Sequence, residues 1–597
     1  MRVEFSIALP EPQLNRKIVV AGLIAAAASV WLGAAAPADH SAQAPAIPAR
    51  VPARFPSTWN YPAGGRATFA PHAMVSSNDR LAAEVGAEIM RQGGNAIDAA
   101  VATGFALAVT YPEAGNLGGG GYMVIRMADG RVAALDYRET APLAATHDMY
   151  VGPNGKLTGE SVIGPRAAGV PGAVAGMLEA HRKYGVLPRA RVLAPAIRLA
   201  SEGFAVDSAL SRSLAGGKYR IENFAGKSLF FPNGAPPEIG STFRQPQLAR
   251  TIRLIADSGA AVFYRGSIAD SIAAQMQREG GLITKADLAR YKPIWREPIR
   301  SSYRGYSLIS MPPSSSGGIT VTEILNILEA YGPPAAFGTA ERVHAVASAS
   351  QRAFVDRNAK LGDPAFVRVP VSTLTSKAYA RSIARSISRD RADRTTQLAG
   401  AISEGSETTH YSVVDKLGNA VATTTTLNDL YGSGVYVSGA GFFLNDEMDD
   451  FASRPGTPNM FGLIQGEANS IAPGKRMLSA MSPTIVLDPK GNLLLVTGAR
   501  GGPRIISATS QVILNVIDHR MSLADAMSAP RMHHQALPDS VRLEKGGFDP
   551  AVIARLRAMG HYVYELGGIA SAASIMRVKG GYEGMDDPRS RGGAVGF

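Results

Sequence analysis

The sequence predicts an α+β fold, with two stacked β-sheets between helical layers. Three observations lead there. The first part of the 597-residue chain carries mainly helical periodicities. From Thr408 onward, short runs of β-branched and aromatic residues dominate. At the junction, a polar and charged stretch, 386–407, reads as an exposed loop and runs straight into Thr408-Thr409-His410-Tyr411-Ser412-Val413-Val414-Asp415. A threonine pair thus opens what reads as a core strand.

Each element follows from its local pattern. From Asn78, the spacing of Leu81, Val85 and Ile89 predicts a helix that Gly93-Gly94 ends. The next segment, 96–109, is apolar on nearly every face and predicts a buried helix. It leads into a glycine-rich loop, 115–121. No Lys-Ser/Thr follows that loop and no strand precedes it, so a phosphate cradle is excluded. The glycines instead predict backbone passing close to backbone. Residues 123–127 and 132–137 read as a strand hairpin. Helical patterns follow at 171–184 and 190–202, and Thr284-Lys285-Ala286-Asp287 resembles a capping box. A short strand, 306–310, runs into Pro312-Pro313 and a serine-glycine loop. Helices are expected at 319–331 and 340–356. Past Thr408, strands are expected at 410–414, 420–427, 441–444, 484–487 and 493–497, then a helix at 511–518. No internal repeat is present.

Composition narrows the function. With no cysteine, disulfides, thiolate catalysis and cysteine-ligated zinc are excluded. The net charge of +12 comes from scattered basic residues without a Lys/Arg block or a nucleic-acid module, so no nucleic-acid partner is expected. His533-His534 lacks ligand spacing for a metal, and neither metal nor cofactor is expected. At the N-terminus, Arg16-Lys17 precede an apolar run, 18–36, with Ala34, Ala36 and Ala38 near its end. That is the pattern of a signal peptide, 1–38, and of an exported, periplasmic or secreted protein; an uncleaved membrane anchor is the rival reading. The Pro- and Ala-rich stretch 39–65 is expected to be a linker.

Thr408 carries the chemical interest. If the chain breaks before it, one residue gains a hydroxyl nucleophile and a free α-amine, whose unperturbed pKa of about 7.7–8 lets it act as a base near neutrality. Seven further motifs keep this threonine company. They include the 115–121 loop, Asp136-Tyr137-Arg138-Glu139, the 311–318 loop, Thr426-Leu427-Asn428, Asn445-Asp446-Glu447-Met448-Asp449-Asp450, Met481-Ser482-Pro483-Thr484 and Gly498-Ala499-Arg500-Gly501-Gly502. In this order, from about residue 66 to the end, they resemble the γ-glutamyltranspeptidases, or glutathione hydrolases, which are N-terminal-nucleophile hydrolases.

The resemblance implies a four-layer αββα sandwich whose first core strand starts at the nucleophile. It implies self-cleavage between Glu407 and Thr408 into a large subunit, 66–407, and a small catalytic subunit, 408–597, held together as a heterodimer. Thr426 would hold the nucleophile's hydroxyl, and Gly501 and Gly502 would form the oxyanion hole. Asn428, Glu447 and Asp450 would take the ammonium of a γ-glutamyl group; Arg138 and Ser479 would take its carboxylate. The segment 455–466, with Phe461, resembles a lid. Two departures stand out: Ala480 replaces a second serine donor beside Ser479, and position 447 is Glu where some relatives carry Gln. The implied reaction passes the γ-glutamyl group of glutathione or a related compound to water, an amino acid or a dipeptide. The alternatives are a glutaryl or cephalosporin-type acylase of the same fold and an unprocessed secreted binding protein.

Overall fold

The computed structural model describes residues 50–395 and 408–597. The expected signal peptide, residues 39–49 of the expected linker and the Glu407 side of the expected cleavage point lie outside the described residues.

Strand Thr408–Val414 pairs antiparallel with Ala420–Thr426, in a register that sets Thr408 opposite Thr426 and His410 opposite Thr424. The turn between them is closed by Asp415, whose Oδ1 accepts from the N–H groups of Leu417 and Asn419. Gly418, at φ 87°, supplies the left-handed residue this tight turn requires. All seven residues of each strand are buried, as expected where a sheet is covered on both faces.

These two strands are central in a seven-stranded sheet. Its order is Gly593–Gly596, Met74–Ser77, Thr408–Val414, Ala420–Thr426, Gly120–Arg126, Val132–Asp136 and Ile294–Arg296. A second sheet runs Thr68–Ala70, Gly581–Asp586, Ser571–Val578, Leu493–Thr497, Thr484–Leu487, Tyr306–Ser310 and Ile299–Tyr303, with Ala499–Arg500 attached to Ser571–Val578. The sheets touch through the face that carries Thr408, His410 and Ser412. The Ser412 hydroxyl donates to the Ala573 carbonyl, and Gly498 lies so close to the His410 ring that a Cβ there would stand 2.3 Å from it.

The opposite face of the first sheet carries Tyr411 and Val413 and packs on helices. Helix Ala96–Thr110 is buried at every position, as its all-round apolar pattern predicts. At Gly104 it comes so near Tyr411 that a Cβ would sit 2.8 Å from the hydroxyl. Its N-cap Asn95 and Asp98 form a capping box, and the Ala96 N–H donates to Asp415, tying the helix start to the strand turn. Helices Arg80–Arg91, Ala173–Tyr184 and Arg189–Glu202 join the same cluster. Helices Gly317–Tyr331, Ala340–Lys360 and Arg504–Ile517 share a second cluster with the second sheet. The α+β content and the pairing of large sheets agree with expectation. The capping box at Thr284–Asp287 forms, and the glycine loop passes against backbone: a Cβ on Gly118 would meet the Phe443 carbonyl at 2.1 Å, and one on Gly119 the Thr426 carbonyl at 2.1 Å.

Several elements differ from expectation. Three helices, Ser208–Ile221, Pro246–Ser258 and Ser267–Glu279, fill a region with no assignment from sequence. The C-terminal strands Ser571–Val578, Gly581–Asp586 and Gly593–Gly596 likewise have no assignment from sequence. The expected strand at 441–444 shrinks to Phe442–Phe443, and the helix expected at 511–518 begins at Arg504. The described part of the expected linker, 50–65, is not a free tether. Trp59 is buried and donates its indole N–H to the Ser528 carbonyl, and the Gly64 N–H donates to Asp525. Arg589 lies over the rings of both Trp59 and Tyr61. Aromatic anchors among the prolines hold this stretch to the body.

Candidate active site

The register that starts one strand at Thr408 and ends its neighbour at Thr426 brings the two hydroxyls to 3.4 Å, Thr408 donating. The Thr426 oxygen also accepts from the Asn428 N–H at 2.7 Å. Asn428 has φ 85° and donates its amide to the Asp446 carbonyl at 3.0 Å. Asp446 in turn accepts from the Asp429 N–H. The loop after the second strand is thereby zipped to the loop that begins at Asn445. Arg220 locks both, with Asp429 at 2.5 Å and Asp446 at 3.2 Å. The short turn Glu447–Asp450 then carries its acids toward Thr408.

Arg138 follows strand Val132–Asp136 and is 1% exposed. Its backbone N–H donates to Asp136, whose carboxylate meets Arg296 at 2.6 Å and Arg476 at 3.3 Å. Arg138 faces three acids: Glu447 at 2.6 Å, Glu139 at 3.6 Å, and Asp450, to which it also hydrogen-bonds. Burial pushes all three carboxyls up, most strongly Glu447, while the Arg138 charge pulls them back. The same acids push the Arg138 guanidinium above its ordinary value. Three acids around one guanidinium leave the cluster rich in acceptor oxygens, which suits a cationic group on a ligand.

Ser479 sits on the far wall. Its carbonyl accepts from the Ser316 N–H at 2.8 Å and the Ser316 hydroxyl at 2.5 Å, and its own hydroxyl oxygen accepts from the Met481 N–H. The serine-glycine loop thus braces the Ser479 loop. Gly501 and Gly502, at φ 130° and 55°, turn the chain into helix Arg504–Ile517. Phe461 packs on Gly502; a Cβ there would stand 3.1 Å from its ring. The Phe461 carbonyl accepts from Gln535, and the Met460 N–H donates to Asp449, so the middle of the segment is pinned by two bonds.

One cavity is lined by Arg138, Thr408, Thr426, Asn428, Glu447, Asp450, Phe461, Ser479 and Gly502. Of the expected site residues, Gly501 alone stands behind the wall, adjacent to Gly502. Ala480, Met481, Leu463 and Ile505 supply apolar lining. Sequence reasoning missed Arg357, which also lines the cavity. The signal was available: Val343, Val346, Ser350 and Ala353 mark the inward face of helix Ala340–Lys360, and Arg357 continues it. His533 lies elsewhere, bonded to Ser507 and Gln535, and His534 meets Asp539. Among the described residues, no group of three His, Asp or Glu side chains is arranged to hold a metal ion.

The chemistry of this cavity has counterparts in known proteins. The gamma-glutamyltranspeptidase family matches residues 82–597. The glutathione hydrolase proenzyme of Escherichia coli (strain K12) is 47% identical over 529 residues, covering 87% of this chain and 91% of its own. The acylase ACY 1 proenzyme of Pseudomonas sp. (strain SE83) is 41% identical, covering 82% of this chain and 87% of its own. The crystal structure of cephalosporin acylase from Bacillus halodurans superposes with a TM-score of 0.80 at 29% identity, over 91% of this chain and 99% of that one. The family match takes in every residue that lines the cavity, and the chain belongs to the gamma-glutamyltranspeptidase family.

Proposed function

We propose that this protein is a self-processed γ-glutamyl hydrolase and transferase acting on glutathione and related γ-glutamyl compounds. One observation carries the reading: Thr408 opens a buried strand with its hydroxyl 3.4 Å from that of Thr426, in the same cavity as a guanidinium and two of the three acids that face it. A γ-glutamyl group ends in an ammonium and a carboxylate, so it needs acceptors for one and donors for the other.

After cleavage at Glu407–Thr408, the freed amine of Thr408 takes the proton of its own hydroxyl. The oxygen attacks the γ-carbonyl, Thr426 orients it, and the N–H groups at Gly501-Gly502 receive the oxyanion. One such donor is worth about 2.7–4 kcal/mol in the transition state. Collapse expels the amine, which leaves with the proton, cysteinylglycine in the case of glutathione. The γ-glutamyl ester then passes to water or to an amino acid or dipeptide. Asn428, Glu447 and Asp450 take the ammonium; Arg138 and Ser479 take the carboxylate; Phe461 covers the bound group.

The glutaryl-acylase reading has support in the acylase relatives. It is disfavoured by the acids around Arg138: a glutaryl group has no ammonium to offset their desolvation. The cross-contacts of the two sheets, with a helical cluster on each, favour the four-layer αββα arrangement. We read residues 1–38 as an export signal, 66–407 and 408–597 as the two subunits of one heterodimer, and the protein as exported.

The test is the subunit pattern and N-terminal sequence of the purified protein. Two pieces are expected, the smaller starting at Thr408, with cleavage of γ-glutamyl-p-nitroanilide. Thr408→Ala is expected to stay one chain without activity. Spontaneous cleavage of that variant at the same bond would remove Thr408 as the processing nucleophile.

A further inference from the structure

Four arginines are among the largest side chains less than 2% exposed: Arg138, Arg220, Arg357 and Arg531. Three of them meet acids directly, Arg138 with Glu447 at 2.6 Å, Arg220 with Asp429 at 2.5 Å and Arg531 with Asp587 at 2.5 Å. Arg357 does not. Its Nε donates to the Ser316 hydroxyl at 2.9 Å, and its Nη1 donates to the side-chain carbonyls of Asn358 at 2.9 Å and Gln465 at 3.5 Å. All three acceptors are neutral. Among the described residues, no carboxylate lies within ion-pairing distance of it. Burial pulls its guanidinium down to about 10, and Asp450 is the one acid whose charge resists that fall. Asp450 itself is engaged by Arg138.

A buried guanidinium without a counterion is costly. This one lines the cavity that holds Thr408. The other candidate donors for a ligand carboxylate there are limited. Arg138 is already shared among three acids. Ser479 retains one hydroxyl proton, and Ala480 has no side-chain donor. The uncommitted positive charge in the cavity is therefore Arg357.

We propose that Arg357 joins Arg138 and Ser479 in binding the carboxylate of the acyl group and so helps determine that the enzyme accepts carboxylate-bearing acyl chains. This rests on the γ-glutamyl reading of the same cavity. It adds a charged donor on the carboxylate side, where Ala480 offers none, while Asn428, Glu447 and Asp450 sense the ammonium.

Three p-nitroanilides with one leaving group test it: γ-glutamyl, with both charges; glutaryl, with the carboxylate alone; and 4-aminobutanoyl, with the ammonium alone. Each is measured with processed wild type, Arg357→Gln and Arg357→Lys. The Gln variant is expected to lose about 10- to 100-fold in kcat/KM on the γ-glutamyl and glutaryl substrates. On the 4-aminobutanoyl substrate it should stay close to wild type. Lys, which keeps the charge but not the fork, should fall between. Equal losses on all three substrates would mean that Arg357 only braces Ser316 and the Ser479 loop, and would overturn the proposal.

Calorimetric titration with glutarate and with 4-aminobutanoate reads the same contrast without turnover. Loss of glutarate binding alone supports the proposal; unchanged glutarate binding in the Gln variant rejects it. If wild type fails to cleave the γ-glutamyl anilide, the substrate reading fails separately, while the glutarate titration still reports on Arg357.

Discussion

At the scale of single residues, the charge of Asp450 is expected to decide which acyl group is accepted. It lies against Arg138 and close enough to Arg357 to act on its protonation. Burial raises its carboxyl, and the two guanidinium charges oppose that rise. A substrate ammonium would add a third cation to this environment. Removing one partner of a buried ion pair costs about 3–5 kcal/mol. Asp450→Asn is therefore expected to lower kcat/KM on γ-glutamyl substrates by roughly two orders of magnitude or more, at about 1.4 kcal/mol per tenfold. Glutaryl substrates should lose far less, because they bring no ammonium. Cleavage at Thr408 should proceed, since it involves no substrate. Kinetics on both substrate types, with the subunit pattern of the variant, check this; equal losses would make Asp450 a structural residue.

At the scale of elements, strand Thr408–Val414 depends on what touches its inter-sheet face. The His410 ring bonds to Thr424 at 2.8 Å and lies against Gly498, where a Cβ would meet three ring atoms at 2.3–2.8 Å. The clash is with a ring held by a cross-strand bond, so it cannot swing away freely. Gly498→Ala is expected to destabilise the fold by about 1–3 kcal/mol, in the range of core overpacking, and to slow cleavage by displacing the strand that starts at Thr408. A lowered urea midpoint at unchanged m-value, with precursor accumulating, is the expected result; wild-type values for both would show that the ring relaxes. This contact also marks the limit of what was legible. The strand's β-branched and aromatic residues were readable, and so were Thr408, Thr426 and the acids of Glu447–Asp450, because motif order pointed to them. Arg357 was not picked out, because an arginine on a helix looks solvated until the helix face is known to be buried. The C-terminal strand Gly593–Gly596, poor in β-branched residues, earns its place by pairing with Met74–Ser77. Helix Ser208–Ile221 carries its buried residues at Leu210, Leu214, Gly217 and Ile221 among serines and glycines that dilute the periodicity.

At the scale of the whole molecule, the chain before and after residue 408 is interwoven. The seven-stranded sheet takes four strands from before it, Met74–Ser77, Gly120–Arg126, Val132–Asp136 and Ile294–Arg296, and places Thr408–Val414 between Met74–Ser77 and Ala420–Thr426. The second sheet also joins strands from both sides, with Tyr306–Ser310 paired to Thr484–Leu487 and Thr68–Ala70 to Gly581–Asp586. The cavity itself draws on both sides of residue 408: Arg138 reaches Glu447 and Asp450, and Arg220 reaches Asp429 and Asp446. Separating the two pieces would expose strand edges of both sheets and leave these charges unpaired, each buried pair costing several kcal/mol to break. A boundary that runs through both sheets would divide the core itself, as in obligate interfaces. After cleavage the pieces are therefore expected to elute together in native buffer, with activity per mole unchanged on dilution from micromolar to nanomolar. They should part only at the denaturant concentration that unfolds both, so that one cooperative transition releases them. Pieces expressed separately should be insoluble, since each carries strands with no partner. Separate elution under native conditions, or activity that falls on dilution, would mean that the pieces fold independently and that the interwoven sheets do not bind them.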